Sequence, residues 1–141
     1  MATKPERARF FLESADDEGF VMTLPQSGAH IRVMPKAAFT EHDIIGVGIG
    51  GVEMVPCLVF RFTPVATHDL NQLRLANPER RLVLVVAGVP VGARRMKETL
   101  DRGWVHPEVF KIFAEVPDFL LPALAASLNE TAAALHPPAR R

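Results

Sequence analysis

The stretch Gly46–Phe62, GVGIGGVEMVPCLVFRF, decides which class of fold this chain can adopt. Gly46, Gly48 and Gly51 satisfy G-x-G-x-x-G, the spacing of the dinucleotide-binding fingerprint. That fingerprint requires a helix directly after the glycines, because the helix N-terminus holds the pyrophosphate. The residues that follow, Val52–Phe62, are β-branched, aromatic or interrupted by proline, and they predict a strand. The stretch therefore favours a glycine-rich segment within β-structure over a nucleotide-binding α/β fold.

Upstream of the glycines, three short apolar segments recur at a spacing of about ten residues, which is typical of successive strands. Turns rich in Asp, Ser and Gly separate them, so we expect an antiparallel meander with one apolar face. Downstream, the continuous apolar run Leu82–Val86 predicts a central strand covered on both faces. Residues 68–75 fit either a helical turn or a strand. The three meander segments are Arg9–Glu13, Phe20–Leu24 and His30–Met34.

The period of the apolar residues changes after Pro90, and the last third predicts helices. One helix covers Ala93–Arg102, because Gly103 provides the usual left-handed residue after its end. A second opens at Pro107, in the first helical position, and ends before Pro117. A third is capped by Asp118 and carries a leucine stripe.

These elements predict a single α+β domain over residues 1–141. Its strand-rich part spans residues 9–89 and its helix-rich part residues 90–136. We expect a mainly antiparallel sheet, beginning with the N-terminal meander, with two to three C-terminal helices packed on one face.

Composition and charge narrow the function classes. The chain has 141 residues, 48% of them hydrophobic and 23% charged, with a formal net charge of zero. Neutrality argues against a protein that coats nucleic acid or an anionic membrane. Cys57 is the only cysteine, which excludes an intrachain disulfide, and no secretory apolar region follows Met1. We expect a cytoplasmic protein of bacterial type, with neither a membrane nor a nucleic acid as partner.

The glycine segment has three interpretations that the sequence leaves open. Its backbone N–H groups could cradle a phosphate, it could be a strand bulge or turn, or it could be a partner-binding loop. The loop interpretation arises because valine and isoleucine occupy positions where an exposed turn would carry polar residues. The ligand interpretation makes the protein a small enzyme or sensor for a nucleotide or another phosphate compound. Its ligand-binding residues would be Gly46, Gly48, Gly50 and Gly51, with Arg80 or Arg81 supplying the counter-charge.

The remaining polar residues predict no catalytic residue, metal site or cofactor. His42-Asp43 and His68-Asp69 flank strands, where adjacent side chains point to opposite faces and cannot share a metal. Cys57 starts an apolar strand and fits a small buried hydrophobe.

The sequence therefore favours a non-catalytic binding or assembly module. We expect it to self-associate, as a homodimer, or to bind another protein. Two segments are more hydrophobic than a monomer needs, namely the apolar loop around the glycines and the leucine-rich terminal helix. The predicted interface residues are Ile49, Val52, Leu121, Leu124 and Leu128.

Overall fold

The computed structural model describes residues 7–97 and 109–136. Within these ranges the chain is an α+β protein with antiparallel sheets, which confirms the predicted class. Short 3-10 turns at Glu41–Asp43 and Asp118–Leu120 precede the strand that begins at Ile44 and the helix that begins at Leu121. The elements are β1 (Ala8–Leu12), β2 (Phe20–Thr23), β3 (His30–Val33), β4 (Ile44–Val52), β5 (Val55–Phe62), α1 (Pro64–Ala76), β6 (Arg81–Val86), β7 (Val89–Arg95), β8 (Val109–Ile112) and α2 (Leu121–Leu135).

Strand β6 is central, as its apolar run predicts. It lies between β1 and β7, and every residue of Leu82–Val86 is buried. Leu82 and Leu84 face the main core, whereas Val83 and Val85 face a smaller second core. Since neighbouring residues of a strand point to opposite faces, this unbroken run of aliphatic residues satisfies two cores at once.

The predicted N-terminal meander is wrong about which strands pair with each other. Strand β1 pairs with β6, and β2 and β3 form a separate hairpin. A single bridge between Glu13 and Val33 connects β1 with that hairpin. The hairpin packs on the outer side of the β1-β6-β7 sheet, where Ile31 and Val33 join the second core. Alternation identified the strands, but it carries no information about which strand each one pairs with.

Residues 68–75 belong to helix α1. Thr63 caps its start by accepting a hydrogen bond from the Ala66 N–H (N···O 3.2 Å), and Pro64 occupies the first turn. Of the helix residues, Ala66 and Leu70 are buried. The apolar face is therefore too narrow to give a clear helical period, which explains why the sequence fitted both structures.

The predictions of a helix at Ala93–Arg102 and of a second helix from Pro107 are wrong where the structure describes these residues. Strand β7 occupies Ala93–Arg95, and β8 occupies Val109–Ile112. Phe110 and Ile112 face the core two residues apart, which is the strand period. Residues 96–97 and 113–116 are also described and are not helical, whereas the part of these predictions in residues 98–108, including Gly103 and Pro107, lies outside the described residues.

Helix α2 is the one C-terminal helix of the described chain, and it closes the main core. Its buried residues recur at helical spacing, and Pro122 lies in the first turn, where no backbone donor is lost. The helix packs on β4 and shares the main core with a cluster of phenylalanines that includes Phe10 and Phe60. The residues of α2 that enter this core are Leu121, Ala125, Leu128 and Ala132.

Candidate functional site

An apolar cleft lies between the β6–β7 turn and the first half of α2, and we call it the α2 cleft. Its volume is about 530 Å³. Among the residues that the structure describes, no titratable side chain lines it, and Ser127 provides the one hydroxyl. Such a lining can hold apolar groups. The lining residues are Val86, Ala87, Val89, Val91, Val116, Leu120, Ala123, Leu124 and Ser127.

Local sequence explains how the cleft forms. Ala87 and Gly88 make the two-residue turn between β6 and β7, both with positive φ (50° and 82°). This turn presents Val89 to solvent, where it is 54% exposed. On the other side, Leu120, Ala123 and Leu124 share one helical face, and the small Ala123 side chain leaves space between them.

Glu115 fixes the wall of the cleft next to Val116. Its backbone N–H donates to the carbonyl oxygen of Val91, which joins this segment to β7. Its carboxylate accepts from the backbone N–H groups of Ser27 (2.7 Å) and Gln26 (2.9 Å). Partial burial raises the pKa of Glu115, but the hydrogen bonds from Ser27 and Gln26 outweigh burial and hold that pKa below its ordinary value. Glu115 is therefore a carboxylate at neutral pH and holds this wall in place.

A second, more polar cleft of about 500 Å³ lies between β5 and the start of α1. Arg61 and His68 are its charged or titratable members. The Thr67 hydroxyl donates to the Phe62 carbonyl, and the Asn71 side-chain oxygen accepts from Arg74, so both side chains already make a hydrogen bond within the chain. The lining residues are Ile45, Arg61, Phe62, Pro64, Thr67, His68 and Asn71.

The glycine segment forms β4 and pairs with β5, as expected for a segment within β-structure. Arg81 lies in another sheet, at the start of β6, and forms an ion pair with Glu13. The structure therefore separates this arginine from the glycines in the sheet order. Binding of an anion by Gly46, Gly48, Gly50, Gly51, Arg80 and Arg81 stays a prediction.

The five predicted interface residues divide into two groups. Val52, Leu121 and Leu128 are buried in the chain itself. Ile49 is 46% exposed, and Leu124 is half-buried in the wall of the α2 cleft. The last two are the members of this set that a partner can reach, and their role in an interface stays a prediction.

Two of the candidates for metal binding and nucleophilic chemistry, Asp43 and Cys57, have structural roles. Asp43 accepts a hydrogen bond from the Thr40 N–H and so closes a capping box. Cys57 is fully buried, and burial raises the pKa of its thiol, which disfavours the reactive thiolate. No group of three His, Cys, Asp or Glu residues within 7–97 and 109–136 is placed to hold a metal ion.

The fold resembles that of solved structures of SecDF. No family model matches the chain, and no curated protein matches its sequence. A crystal structure of SecDF in a super-membrane-facing form matches with a TM-score of 0.65 at 14% identity, over 89% of this chain and 19% of that one. A second SecDF structure, described as a membrane component that enhances protein export, matches with a TM-score of 0.60 at 11% identity. That match covers 92% of this chain and 62% of the other.

These neighbours overturn the function expected from the sequence. We expected a cytoplasmic, non-catalytic and self-associating module with no membrane partner, yet both neighbours belong to a membrane component of protein export. The expectation rested on neutral charge and the lack of an apolar leader, and neither property says what a domain is attached to or works beside. Neither helix in the described ranges is both long and apolar enough to cross a membrane.

The sequence did not reveal the α2 cleft. Its β7 wall, Val89 and Val91, lies directly before the helix that was expected from Ala93 onward, and on its other wall Leu124 was expected to belong to an interface. The signal that was present is Ala87-Gly88 between two valine-rich segments, since a small residue followed by glycine suits a two-residue hairpin.

Proposed function

We propose that this chain is a domain of a membrane-associated protein-export assembly and that it binds exported polypeptide, in unfolded form, through the α2 cleft. The observation that carries the proposal is the fold likeness to two SecDF structures over 89% and 92% of this chain. The chain spans 19% and 62% of those neighbours, so it corresponds to one part of a larger protein. In this proposal residues 1–141 act together as one α+β domain.

The chemistry of the α2 cleft suits an unfolded chain better than a folded partner. An unfolded polypeptide exposes apolar side chains that a folded protein has buried, and burying one such side chain contributes about 1.5–3 kcal/mol. Valine, leucine and alanine surfaces provide that contribution without a directional polar contact. Binding through this cleft is therefore expected to be weak and tolerant of sequence, as an export component needs for many different substrates.

Exposure of the cleft rim supports access by a large ligand. Val89 and Leu120 lie on opposite walls, and 54% and 46% of their surfaces are exposed. Phe119, adjacent in sequence to Leu120, is 79% exposed. Apolar surface that extends beyond a cleft in this way is typical of binding sites for segments of polypeptide.

The test compares two substitutions on α2. Ala123 lines the cleft and is exposed, so Ala123→Glu places a carboxylate in the cleft without disturbing the core. Ala126 is also exposed on α2 but does not line the cleft, and Ala126→Glu is the matched control. We expect the wild-type protein and Ala126→Glu to bind a fluorescently labelled, permanently unfolded polypeptide with equal affinity. Ala123→Glu should bind about tenfold more weakly, because desolvating an unpaired carboxylate costs more than about 1.4 kcal/mol.

Fluorescence anisotropy of the labelled polypeptide provides the measurement, with the same polypeptide in a folded form as a further control. The proposal fails if the wild-type protein does not distinguish unfolded from folded polypeptide. It also fails at this site if the two glutamate variants bind alike.

A further inference from the structure

Strand β4 has one edge paired with β5 and one edge directed away from it. Glu53 and Met54 form the two-residue turn that joins the strands, so Val52 and Val55 are the hydrogen-bonded pair that closes it. Hydrogen-bonded and non-hydrogen-bonded pairs alternate along an antiparallel ladder. The backbone groups of Gly50 and Gly48 therefore face β5, whereas those of Val47, Ile49 and Gly51 face outward.

The side chain of Asn129 confirms this assignment of outward groups. The Val47 N–H donates to the side-chain oxygen of Asn129 at 3.0 Å. Asn129 belongs to α2, so this N–H points away from β5. At the other end, Lys111 Nζ lies 3.4 Å from the Gly51 carbonyl oxygen. Between these two contacts, no residue of 7–97 or 109–136 bonds the outward N–H or carbonyl of Ile49, or the N–H of Gly51.

This part of the edge is also open to solvent. Gly48 and Gly51 are exposed, and Ile49 is 46% exposed. A Cβ added at Gly48 would have nothing within 4 Å. A second backbone can therefore approach along Gly48–Gly51 without meeting a side chain of β4 other than that of Ile49.

Exposed strand edges are normally protected, because an unpaired row of backbone groups invites pairing with another chain. Charged side chains, prolines and bulges are the usual protection. The β4 bulge lies between Ile44 and Gly46, at the end that α2 already covers, and Gly48–Val52 contains neither a charge nor a proline. The unprotected part of the edge is thus the part that nothing in the described chain covers.

We propose that β4 accepts an extended segment of the exported polypeptide as an additional strand along Gly48–Gly51, a mode of binding that rests on the proposed export function. The segment exchanges two backbone hydrogen bonds with Ile49 and adds a third to the Gly51 N–H. Backbone pairing recognises the extended conformation and not a particular sequence, which suits a site that must take many substrates. The α2 cleft holds apolar side chains, and the β4 edge holds the main chain.

Two substitutions at one position separate backbone from side-chain recognition. Ile49→Pro removes the outward N–H and leaves the ladder with β5 intact, because that N–H does not bond β5. Ile49→Ala removes most of the side chain and keeps the N–H. The probe is an end-blocked octapeptide of alternating threonine and valine. We expect Ile49→Pro to weaken its binding at least tenfold and Ile49→Ala to weaken it less than threefold.

Amide hydrogen exchange of the wild-type protein tests the same proposal without a substitution. On addition of the octapeptide, the Ile49 and Gly51 amides should exchange at least tenfold more slowly, whereas Gly48 and Gly50, already bonded to β5, should not change. The same octapeptide with N-methyl groups on two adjacent central residues blocks both of its edges and should give no protection. Equal protection by both peptides would overturn strand addition, as would equal binding of the probe by Ile49→Pro and Ile49→Ala.

The outcomes also separate this proposal from the export function. Binding of unfolded polypeptide that Ala123→Glu weakens, with no protection of Ile49, overturns strand addition and leaves the function of the cleft. Protection of Ile49 by the octapeptide, with no binding of unfolded polypeptide, supports an acceptor edge and overturns the export function.

Discussion

Arg81 donates two side-chain hydrogen bonds to Glu13, from Nε to Oε1 at 3.2 Å and from Nη2 to Oε2 at 2.8 Å. The Arg81 backbone N–H also donates to Oε1, at 2.9 Å. Both side chains are half-buried, so the pair is more than a surface contact. It joins the end of β1 to the start of β6, which is the pairing that the meander prediction missed. The Arg81 side chain therefore has a structural role, and its positive charge is already paired with the Glu13 carboxylate.

Replacing Glu13 by Gln should destabilise the fold in a pH-dependent way. The hydrogen bond from Arg81 lowers the pKa of Glu13 below its ordinary value, so the carboxylate stabilises the folded state above the unfolded pKa of about 4.3. That contribution is lost as the pH falls through the lower, folded pKa. We expect Glu13→Gln to lose about 1 kcal/mol of unfolding free energy at pH 7 and much less near pH 3, measured by urea denaturation. Glu18→Gln, at an exposed carboxylate, is the control, and an equal loss at both pH values would contradict the assignment.

Asn129 should stabilise β4 through its side-chain oxygen. Val47 is buried, and its N–H donates to Asn129 at 3.0 Å, so removing the acceptor leaves a poorly hydrated donor. We expect Asn129→Ala to lose about 1 kcal/mol of unfolding free energy, and Asn129→Asp, which keeps an acceptor, to lose less. Thermal denaturation of the two variants provides the comparison. The same loss in both would show that this hydrogen bond does not hold α2 to β4.

Gly19 and Gly28 form a matched pair at the two ends of the β2–β3 hairpin. Both have positive φ, 86° and 72°, so alanine at either site adds backbone strain of about 1 kcal/mol. A Cβ at Gly19 would lie 1.7 Å from the Val33 carbonyl oxygen, whereas a Cβ at Gly28 would meet nothing within 4 Å. We expect Gly28→Ala to cost about 1 kcal/mol and Gly19→Ala to cost several times more, by chemical denaturation. Equal costs would mean that Gly19 does not lie against the Val33 carbonyl as described.

Strong one-dimensional patterns predicted individual elements well. The run Leu82–Val86 is a strand buried on both faces, and the leucine stripe from Leu121 is a helix, because each pattern has a period that one structure satisfies. Such periodic patterns did not predict which strands pair, nor the segments whose structure differs from their local propensity. Ala93–Arg95 consists of good helix formers, yet these residues continue β7 because they pair with Arg81–Val83 of β6. Gly92 also lies against the Phe113 backbone, a contact between residues distant in sequence.

The candidate site depends on the same long-range contacts. The glycine segment was correctly placed in β-structure from the strand that follows it, but the free edge of β4 follows from pairing on its other side. The α2 cleft joins Val89 to Leu124 across the fold, and no local pattern connects them. Charge and composition then predicted a cytoplasmic module, because they describe a surface and not the assembly in which a domain works.

The β4–β5 turn should be improved by a single glycine. Met54 has φ 69° and is fully exposed, so its side chain makes no packing contribution that offsets a left-handed backbone. Type I′ turns favour glycine at this second central position, and the strain of a non-glycine residue there is about 1 kcal/mol. Part of the gain is offset by the greater freedom of glycine in the unfolded chain. We expect Met54→Gly to raise the unfolding free energy by roughly 0.5 kcal/mol.

Met54→Leu keeps a Cβ and should leave the unfolding free energy unchanged. Urea denaturation of both variants separates relief of strain from loss of an apolar side chain. A destabilised Met54→Gly variant would mean that the methionine side chain makes a contact that its full exposure excludes.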